Sequence, residues 1–389
     1  MAQSPKLKTE YFNNLDGLRG VAALCVIIGH CQSWIFEQAN VKVYVPWGFK
    51  LAGFGVDLFF VLSGFLISFN LLTEIKITGV LQVKKFYIRR ILRLWPLYFT
   101  FGIFAIIFGT TLAVGLNYTK EIQTSHQMLI NFVFMSTFSV NLMTFFHVGN
   151  TYTSAFIGHY WSLAAEEQFY LFFAPTLNYF RKHILIFLCI VISIGFFFNE
   201  IFILFLHDKK EIQYFSYEFT LGRFFHFGIG GAMAWAYVNG KFKTQNNLTL
   251  WEKYLLQICF LVPTYLFIFG DDLYLTPAIK LVLNHLRTIL ALLSAGIILC
   301  AIMKNSIFLL ERGFLKYCGK ISFGMYIFHL LALRLAAYFL QGEPLFVSIN
   351  STFFTWAFPI LTTALSILFA TVSFRYFEKP FLNLKKNFR

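Results

Sequence analysis

Arg19 and His30 are the two residues that most clearly suggest chemistry, because they lie eleven residues apart in one long apolar segment. An α-helix turns about 100° and rises about 1.5 Å per residue, so both side chains would share one helix face roughly 16 Å apart. A charge or a histidine inside a membrane is costly and usually faces a partner or a cavity. The spacing therefore predicts an anion held by Arg19 near one surface and chemistry performed deeper, at His30.

A second basic group, formed by Arg89, Arg90 and Arg93, precedes another apolar segment. Arg89 and Arg93 lie about one helical turn apart, and forked guanidinium groups bind phosphate oxygens well. A basic cluster beside a membrane helix is also expected as a simple anchor on the cytoplasmic side. The residues alone leave both interpretations open.

Three carboxylates lie in apolar segments that enter from the opposite side, namely Asp57, Glu166 and Glu167. Adjacent helical residues point about 100° apart, so the two glutamates are expected to have different roles. Glu166 shares a face with Ser162 and is predicted to be the inward one. His30, Asp57 and Glu166 are predicted to meet at similar depth as a catalytic group. A structural hydrogen bond from Asp57 to another helix is the alternative.

Four more side chains are predicted to bind substrate: Trp161, Ser162, Arg223 and His329. Trp161 and Ser162 precede the two glutamates by about one turn. Arg223 lies with His226 in a glycine-rich apolar run, and His329 lies near the middle of another. Close helix packing at small residues and a helix-to-helix hydrogen bond are the respective structural alternatives.

The composition places these residues in a membrane. The chain is 58% apolar and only 13% charged, whereas a soluble domain of 389 residues needs far more charge on its surface. The net charge of +14 does not indicate nucleic acid, because the basic residues border apolar runs, as expected for retention near anionic lipid. None of the six cysteines forms a CxxC pair, so we expect neither a disulfide framework nor a metal site.

The apolar runs predict an all-α, polytopic integral membrane protein, because about 20 apolar residues span a bilayer as a helix. The lysine and arginine distribution favours both termini in the cytoplasm. About ten transmembrane helices are predicted, at roughly 17–36, 51–73, 94–115, 160–180, 184–206, 219–238, 254–270, 282–303, 320–340 and 351–374.

One further apolar run, about 126–148, is ambiguous. The ten-span arrangement puts 23 of the 32 lysines and arginines inside, whereas an eleventh crossing at this run leaves 15. The run is therefore expected to lie on the outer interface or to re-enter from outside. The whole chain, 1–389, is predicted to be one membrane domain with its core at about 11–382 and no appended soluble domain.

Six motifs, in this order, resemble those of the acyltransferase family 3 membrane O-acyltransferases. They lie at 15–20 with His30, and at 55–65, 87–96, 161–170, 322–329 and 375–380. Members of this family modify bacterial surface polysaccharides, lipopolysaccharide O-antigens, peptidoglycan and small metabolites. Some members append an extracytoplasmic hydrolase-like domain, and this chain resembles the stand-alone members.

The resemblance implies an acyl-CoA donor from the cytoplasm and a glycan hydroxyl reached from outside, across the bacterial inner membrane. No permanently bound cofactor is expected, and acetyl-CoA is the default co-substrate for the family. Arg19, Arg89, Arg90 and Arg93 would hold the CoA phosphates, and the pantetheine arm would carry the thioester towards His30.

The expected mechanism is direct transfer, in which neutral His30 acts as a general base and Asp57 or Glu166 orients its imidazole. A covalent acyl relay on His30 or Ser162 is the mechanistic alternative. Two other classes stay open. Intramembrane carboxylates and histidines also mark ion-coupled or lipid-linked sugar transporters, and a structural membrane partner would tolerate loss of His30.

Overall fold

The computed structural model describes residues 11–38, 47–116, 123–143, 156–206, 217–242, 248–269, 286–303, 310, 313–341 and 352–388. All regular structure in these residues is helical, as the all-α prediction requires. The α-helices are α1 (Asn13–Gln38), α2 (Trp47–Thr78), α3 (Val83–Gly115), α4 (Ser125–Ser136), α5 (Tyr160–Tyr179), α6 (Ile184–Leu206), α7 (Thr220–Val238), α8 (Leu250–Phe269), α9 (Leu286–Ile302), α10 (Gly313–Lys320), α11 (Ser322–Gln341), α12 (Thr352–Ser373) and α13 (Lys379–Leu384).

Six of these helices are long and apolar enough to cross a membrane: α1, α2, α3, α8, α11 and α12. Over the described residues α6 and α9 supply shorter apolar helices. Helices α5 and α7 form where spans were predicted, but polar residues such as Glu166, Glu167 and Arg223 make them less apolar. The chain is thus a multi-pass membrane protein, while the number of ten spans and the side of each terminus stay predictions.

The outer helices present apolar side chains to their surroundings. On α8, Leu255, Ile258 and Tyr265 are exposed, and on α12 Trp356 and Ile360 are more than half exposed. Contiguous apolar surface of this kind needs a partner that is itself apolar. These faces are the ones that hydrocarbon chains of a bilayer would cover.

Helix α2 lies at the centre of the bundle. It packs against α1, α7 and α9, and its buried residues lie on all sides of the helix, as expected for a helix that is apolar all round. Glycines set its distance from α7, because a Cβ at Gly64 would lie 2.3 Å from the carbonyl oxygen of Phe227. A Cβ at Gly230 would lie 2.2 Å from the carbonyl oxygen of Val61. The two backbones therefore touch directly.

Helix α4 covers much of the ambiguous run at 126–148. Its 12 residues reach about 18 Å, which is too short for a hydrocarbon core of about 30 Å. It packs against α3, and Tyr98 donates a 3.1 Å hydrogen bond to the carbonyl of Met135. Within the described part of that run, no helix crosses the membrane by itself, and residues 144–148 lie outside the described ranges.

The chain stays helical past the end of α12, and this C-terminal segment packs against α3. A π-helical segment, Phe374–Glu378, joins α12 to α13, and a 3₁₀ turn, Lys385–Phe388, follows. Arg89 of α3 donates a 2.9 Å hydrogen bond to the carbonyl of Phe388. This contact brings the last described turn beside the basic residues of α3.

Candidate active site

A basic cavity of about 360 Å³ lies between α1, α2, α3 and the last described turn. Its lining includes five cationic side chains and two carboxylates. The cations are Arg19, Arg89, Arg90, Arg93 and Lys385, and the carboxylates are Asp16 and Glu74. The excess of positive charge makes the cavity suited to an anion with several charges. All four arginines predicted to hold the donor phosphates meet here.

The carboxylates and aromatic rings fix several of these cations. Arg19 lies 4.0 Å from Asp16, and Arg89 lies 3.6 Å from Glu74. The guanidinium of Arg90 lies over the ring of Tyr170, 4.8 Å from its centroid. Such contacts hold long side chains in place before a ligand arrives, which lowers the entropy cost of binding.

Two groups at the edge of this cavity, outside the membrane spans, have shifted pKa values. Burial, with Arg93, Arg90 and the other nearby arginines, lowers the pKa of Lys385 to about 7. Burial and a hydrogen bond to Asp16 raise the pKa of Tyr11 to about 12. Lys385 therefore titrates near neutral pH.

A second, narrower cavity of about 80 Å³ continues from the first. Five residues line both cavities, namely Arg19, Leu66, Ile67, Arg90 and Arg93. Polar groups of the narrow cavity include Ser63, Ser162, Glu166 and Tyr326. The Ser162 and Tyr326 hydroxyl oxygens are 2.5 Å apart. The narrow cavity thus leads from the arginines to a pair of hydroxyl groups.

The two adjacent glutamates of α5 face different neighbours. Glu166 lines the narrow cavity and accepts hydrogen bonds from Tyr170 and, at 2.6 Å, from Ser63. Glu167 instead accepts a 3.3 Å hydrogen bond from the indole nitrogen of Trp95 on α3. Glu166 is the inward one, as the helix geometry predicted.

Three histidines lie together beyond Tyr326, at the side away from the arginines. His30 and His329 stack with ring centroids 5.0 Å apart, and His30 Nδ1 lies 3.1 Å from His329 Nε2. His159 meets the ring of His329 edge-on at 4.7 Å. Tyr326 donates a 3.1 Å hydrogen bond to the carbonyl of His159. The two cavities end at Tyr326, because none of these imidazoles lines either of them.

Asp57 belongs to a different group of side chains. Its Oδ1 lies 2.8 Å from Arg223 Nη1 and 3.2 Å from His226 Nε2, and all three side chains are almost fully buried. Arg223 also donates to the carbonyl of Tyr217, and its guanidinium lies 5.4 Å from the ring of Trp161. A carboxylate in a low-dielectric interior needs such a cation.

Among the side chains that the structure describes, no carboxylate makes the expected contact with His30. Nδ1 of His30 contacts Nε2 of His329 instead. Asp57 is paired with Arg223, and Glu166 accepts a hydrogen bond from Ser63. Arg223, which was predicted to contact an acceptor, is 1% exposed and donates to Tyr217 and Asp57 within the protein. Its contact with an acceptor stays a prediction. The contributions of Asp57 and Glu166 to turnover stay predictions.

Sequence reasoning missed three residues of this region: His159, Tyr326 and Lys385. A signal existed for two of them. His159 directly precedes the motif with Trp161, and Tyr326 lies three residues before His329, on the same helix face. Lys385 carried no such signal, because its place depends on how the segment after α12 packs against α3.

The sequence is similar to those of several bacterial proteins that are named as O-acetyltransferases. A protein assigned as an O-acetyltransferase in Staphylococcus aureus strain COL is 26% identical over 394 residues, covering 96% of this chain and 58% of the relative. The peptidoglycan O-acetyltransferase OatA of Listeria monocytogenes is 26% identical over 415 residues, covering 100% of this chain and 59% of the relative. The chain spans less than two thirds of the length of these relatives. No solved structure matches it significantly.

The family model described as an acyltransferase domain, type 3, matches residues 12–374. This range begins just before α1 and ends after α12, so it contains the arginines of both cavities, the paired hydroxyls and the histidines. Of the residues that line the two cavities, it lacks Tyr11 and Lys385. The match extends over nearly all of the 389 residues. The helices that build the two cavities are therefore those of a known family, and the chain belongs to acyltransferase family 3.

Proposed function

We propose that this protein moves an acyl group, acetyl by default, from cytoplasmic acyl-CoA to a hydroxyl of a cell-surface glycan. The observation that carries the proposal is the continuity of the two cavities, which share five lining residues. A multiply charged anion fits the basic end, and Ser162 and Tyr326 lie at the other end. Family membership supports acyl transfer as the chemistry.

The donor would bind with its phosphates among Arg19, Arg90, Arg93 and Lys385. Arginine pairs with phosphate oxygens through two parallel hydrogen bonds, and such charge-assisted bonds are stronger than neutral ones. The pantetheine arm is thin and largely uncharged, so it suits the narrow cavity. Acyl-CoA is in this view a co-substrate that leaves as free CoA and not a permanently bound cofactor.

The reaction we propose is direct transfer with His30 as the general base. His30 takes the proton of the acceptor hydroxyl while that oxygen attacks the thioester carbon. A carbon–oxygen bond forms, the carbon–sulfur bond breaks, and the CoA sulfur receives the proton from His30. General-base help typically contributes about 10²–10⁴-fold. An acyl relay on Ser162 remains the covalent alternative, because Ser162 lines the narrow cavity.

The acceptor we propose is a sugar hydroxyl outside the cytoplasmic membrane. OatA, a relative, is a peptidoglycan O-acetyltransferase. Peptidoglycan therefore joins lipopolysaccharide O-antigen and exopolysaccharide as candidate acceptors, since each presents sugar hydroxyls. We place the chain in the bacterial inner membrane with the basic cavity towards the cytoplasm, where acyl-CoA is made.

Donor binding tests the proposal. We would measure acetyl-CoA binding in lipid nanodiscs for the wild type, an Arg90→Gln/Arg93→Gln variant and, as a matched control, Arg181→Gln, which changes an exposed arginine. A hydrogen bond to a charged group is worth about 1.5–3 kcal/mol, so the double variant should bind at least about 100-fold more weakly. Arg181→Gln should bind like the wild type.

His30→Ala separates binding from chemistry. This variant should bind acetyl-CoA normally while transfer to a glycan acceptor falls by about 10²–10⁴-fold. Normal transfer by His30→Ala would remove the proposed base. If the wild type bound no acyl-CoA of any chain length, the transporter interpretation would replace the proposal, and flux assays would follow.

A further inference from the structure

The contacts of His329 determine where its proton lies. Its Nδ1 is 2.6 Å from the backbone carbonyl oxygen of Tyr326, three residues earlier in α11. A carbonyl oxygen can only accept a hydrogen bond, so Nδ1 must carry the proton. A neutral imidazole has one protonated and one bare nitrogen, and Nε2 of His329 is therefore bare.

The same reasoning then determines the proton of His30. Its Nδ1 lies 3.1 Å from the bare Nε2 of His329. Two bare nitrogens at that distance would face each other with their lone pairs and no proton between them. His30 must therefore be protonated on Nδ1, and its own Nε2 is left bare. No other pair of neutral tautomers satisfies both of these contacts. The carbonyl of Val26, one turn earlier in α1, is a further acceptor beside the ring of His30.

We infer that His329 is a positioning residue that holds His30 in the tautomer with a proton on Nδ1 and a bare Nε2. This inference rests on the proposed function, because a bare Nε2 is what His30 needs to take the proton of an acceptor hydroxyl. In serine hydrolases a carboxylate does this work. Here an imidazole does it, and the described ion pairs include none between a carboxylate and His30.

Neighbouring side chains keep the ring of His329 in place. The side chain is fully buried, and the ring of His159 packs edge-on against it at 74°. Tyr326 fixes both partners, since its carbonyl accepts from His329 and its hydroxyl donates to the carbonyl of His159. The arrangement is built before any substrate enters, which is the condition for low reorganisation cost during the reaction.

Two variants of His329 separate its two hydrogen bonds. Glutamine places an amide oxygen where Nε2 lies, so His329→Gln keeps an acceptor for His30. Asparagine places an amide nitrogen where Nδ1 lies, so His329→Asn keeps the bond to Tyr326 but does not reach His30. We expect kcat of His329→Gln within about fivefold of the wild type and kcat of His329→Asn lower by at least about tenfold. The KM for acetyl-CoA should change in neither.

The tautomer is read directly from ¹⁵N-histidine NMR spectra of the whole protein in nanodiscs, with the His30 signals assigned by their loss in His30→Ala. His30 should show a protonated Nδ1 in the wild type and in His329→Gln, and a mixture of tautomers in His329→Asn. A wild-type His30 protonated on Nε2 would overturn the inference whatever the variants do. So would an unchanged kcat and tautomer in His329→Asn.

Failure of the proposed function gives a different pattern. If His30→Ala transfers acyl groups normally, the general base is wrong, while the NMR assignment still shows whether His329 sets the tautomer. If the wild-type tautomer is as inferred and His30→Ala is inactive, the role of His30 as general base and the tautomer assigned to it are both supported. A His329→Asn variant that fails to fold leaves the wild-type spectrum to decide.

Discussion

Asp57 and Glu166, the two carboxylates predicted to act with His30, belong to two sets of side chains that do not touch the same partners. Asp57 contacts Arg223 and His226, while Glu166 contacts Ser63 and Tyr170 beside the arginines. A buried charge without a partner is strongly unfavourable, so each carboxylate needs its own compensation. The first set links α2 to α7, and in the second set Ser63 and Glu166 line the narrow cavity. Loss of Asp57 should therefore act first on the contact between α2 and α7, whereas loss of Glu166 should act first on the narrow cavity.

If acyl-CoA binds in the basic cavity as proposed, Lys385 makes its affinity depend on pH. Its pKa of about 7 in the free protein means that it is largely neutral above that pH. A bound polyphosphate favours the ammonium form and raises this pKa, so binding takes up a proton. Acetyl-CoA affinity should be highest below pH 7 and should fall between about pH 7 and 9, by at most about tenfold per pH unit.

Two substitutions at this position separate the charge from its titration. Lys385→Arg stays charged over the whole range, so its affinity for acetyl-CoA should be high and nearly independent of pH. Lys385→Met should bind weakly, again without the slope. Calorimetric titration at several pH values measures both quantities. A slope that persists in Lys385→Met would assign the proton uptake to another group.

At the scale of elements, the sequence predicts the helices better than it predicts their contacts. Apolar runs fix where helices form, because length and apolarity are local properties. The helical period also shows which residues share a face, and Glu166 proved to be the inward glutamate for that reason. The partner of Asp57 lies 166 residues away in α7. No local pattern specifies how two helices are rotated against each other.

The close contact of α2 with α7 is what brings Asp57 to Arg223, and glycine makes it possible. At Gly230→Ala the new Cβ would meet backbone atoms of α2, at 2.2 Å from the Val61 oxygen and 2.6 Å from the Phe65 nitrogen. Backbone cannot move aside, so the helices must separate, and overpacking of this kind costs about 1–3 kcal/mol. Gly230→Ala should lower the midpoint of thermal unfolding and reduce transfer.

Gly115→Ala is the matched control for that prediction. A Cβ at Gly115, the last residue of α3, meets nothing within 4 Å. Alanine favours helix over glycine, so thermal stability in the same detergent should be unchanged or slightly higher. If Gly230→Ala and Gly115→Ala unfolded at the same temperature, α2 and α7 could separate without loss of stability, and the prediction would be wrong.

For the whole molecule, the open question is how many times the chain crosses the membrane. Six helices are long and apolar enough to do so. If only these cross, α5, α6 and α7 stay on the outer side, and Arg181, Lys182, Lys241 and Lys253 lie outside with them. Lysine and arginine accumulate on the cytoplasmic side. The distribution of charge therefore favours crossings by α5, α6 and α7, even though α5 and α7 have polar faces. With these three crossings α9 must cross as well, because Lys316, Lys320, Arg375 and Lys379 would otherwise lie outside.

Polar faces do not argue against crossing when they line a cavity. Glu166 of α5 faces the arginines, and Arg223 of α7 is paired with Asp57, so neither side chain needs to face lipid. Hydropathy averages over all sides of a helix and counts these residues as if they were exposed. We therefore expect the ten-span arrangement, which places α4 outside and the end of α5 inside.

Two single cysteines distinguish the arrangements. Ser125→Cys lies at the start of α4 and Lys182→Cys just after α5, and both positions are exposed. They would be introduced with Cys189 and Cys259, the exposed native cysteines, replaced by serine. With ten spans, a membrane-impermeant maleimide should label position 125 in intact cells and position 182 only after permeabilisation. With six spans both positions lie on the same side, so labelling of both in intact cells would reject the ten-span arrangement and place the polar face of α5 outside the bilayer.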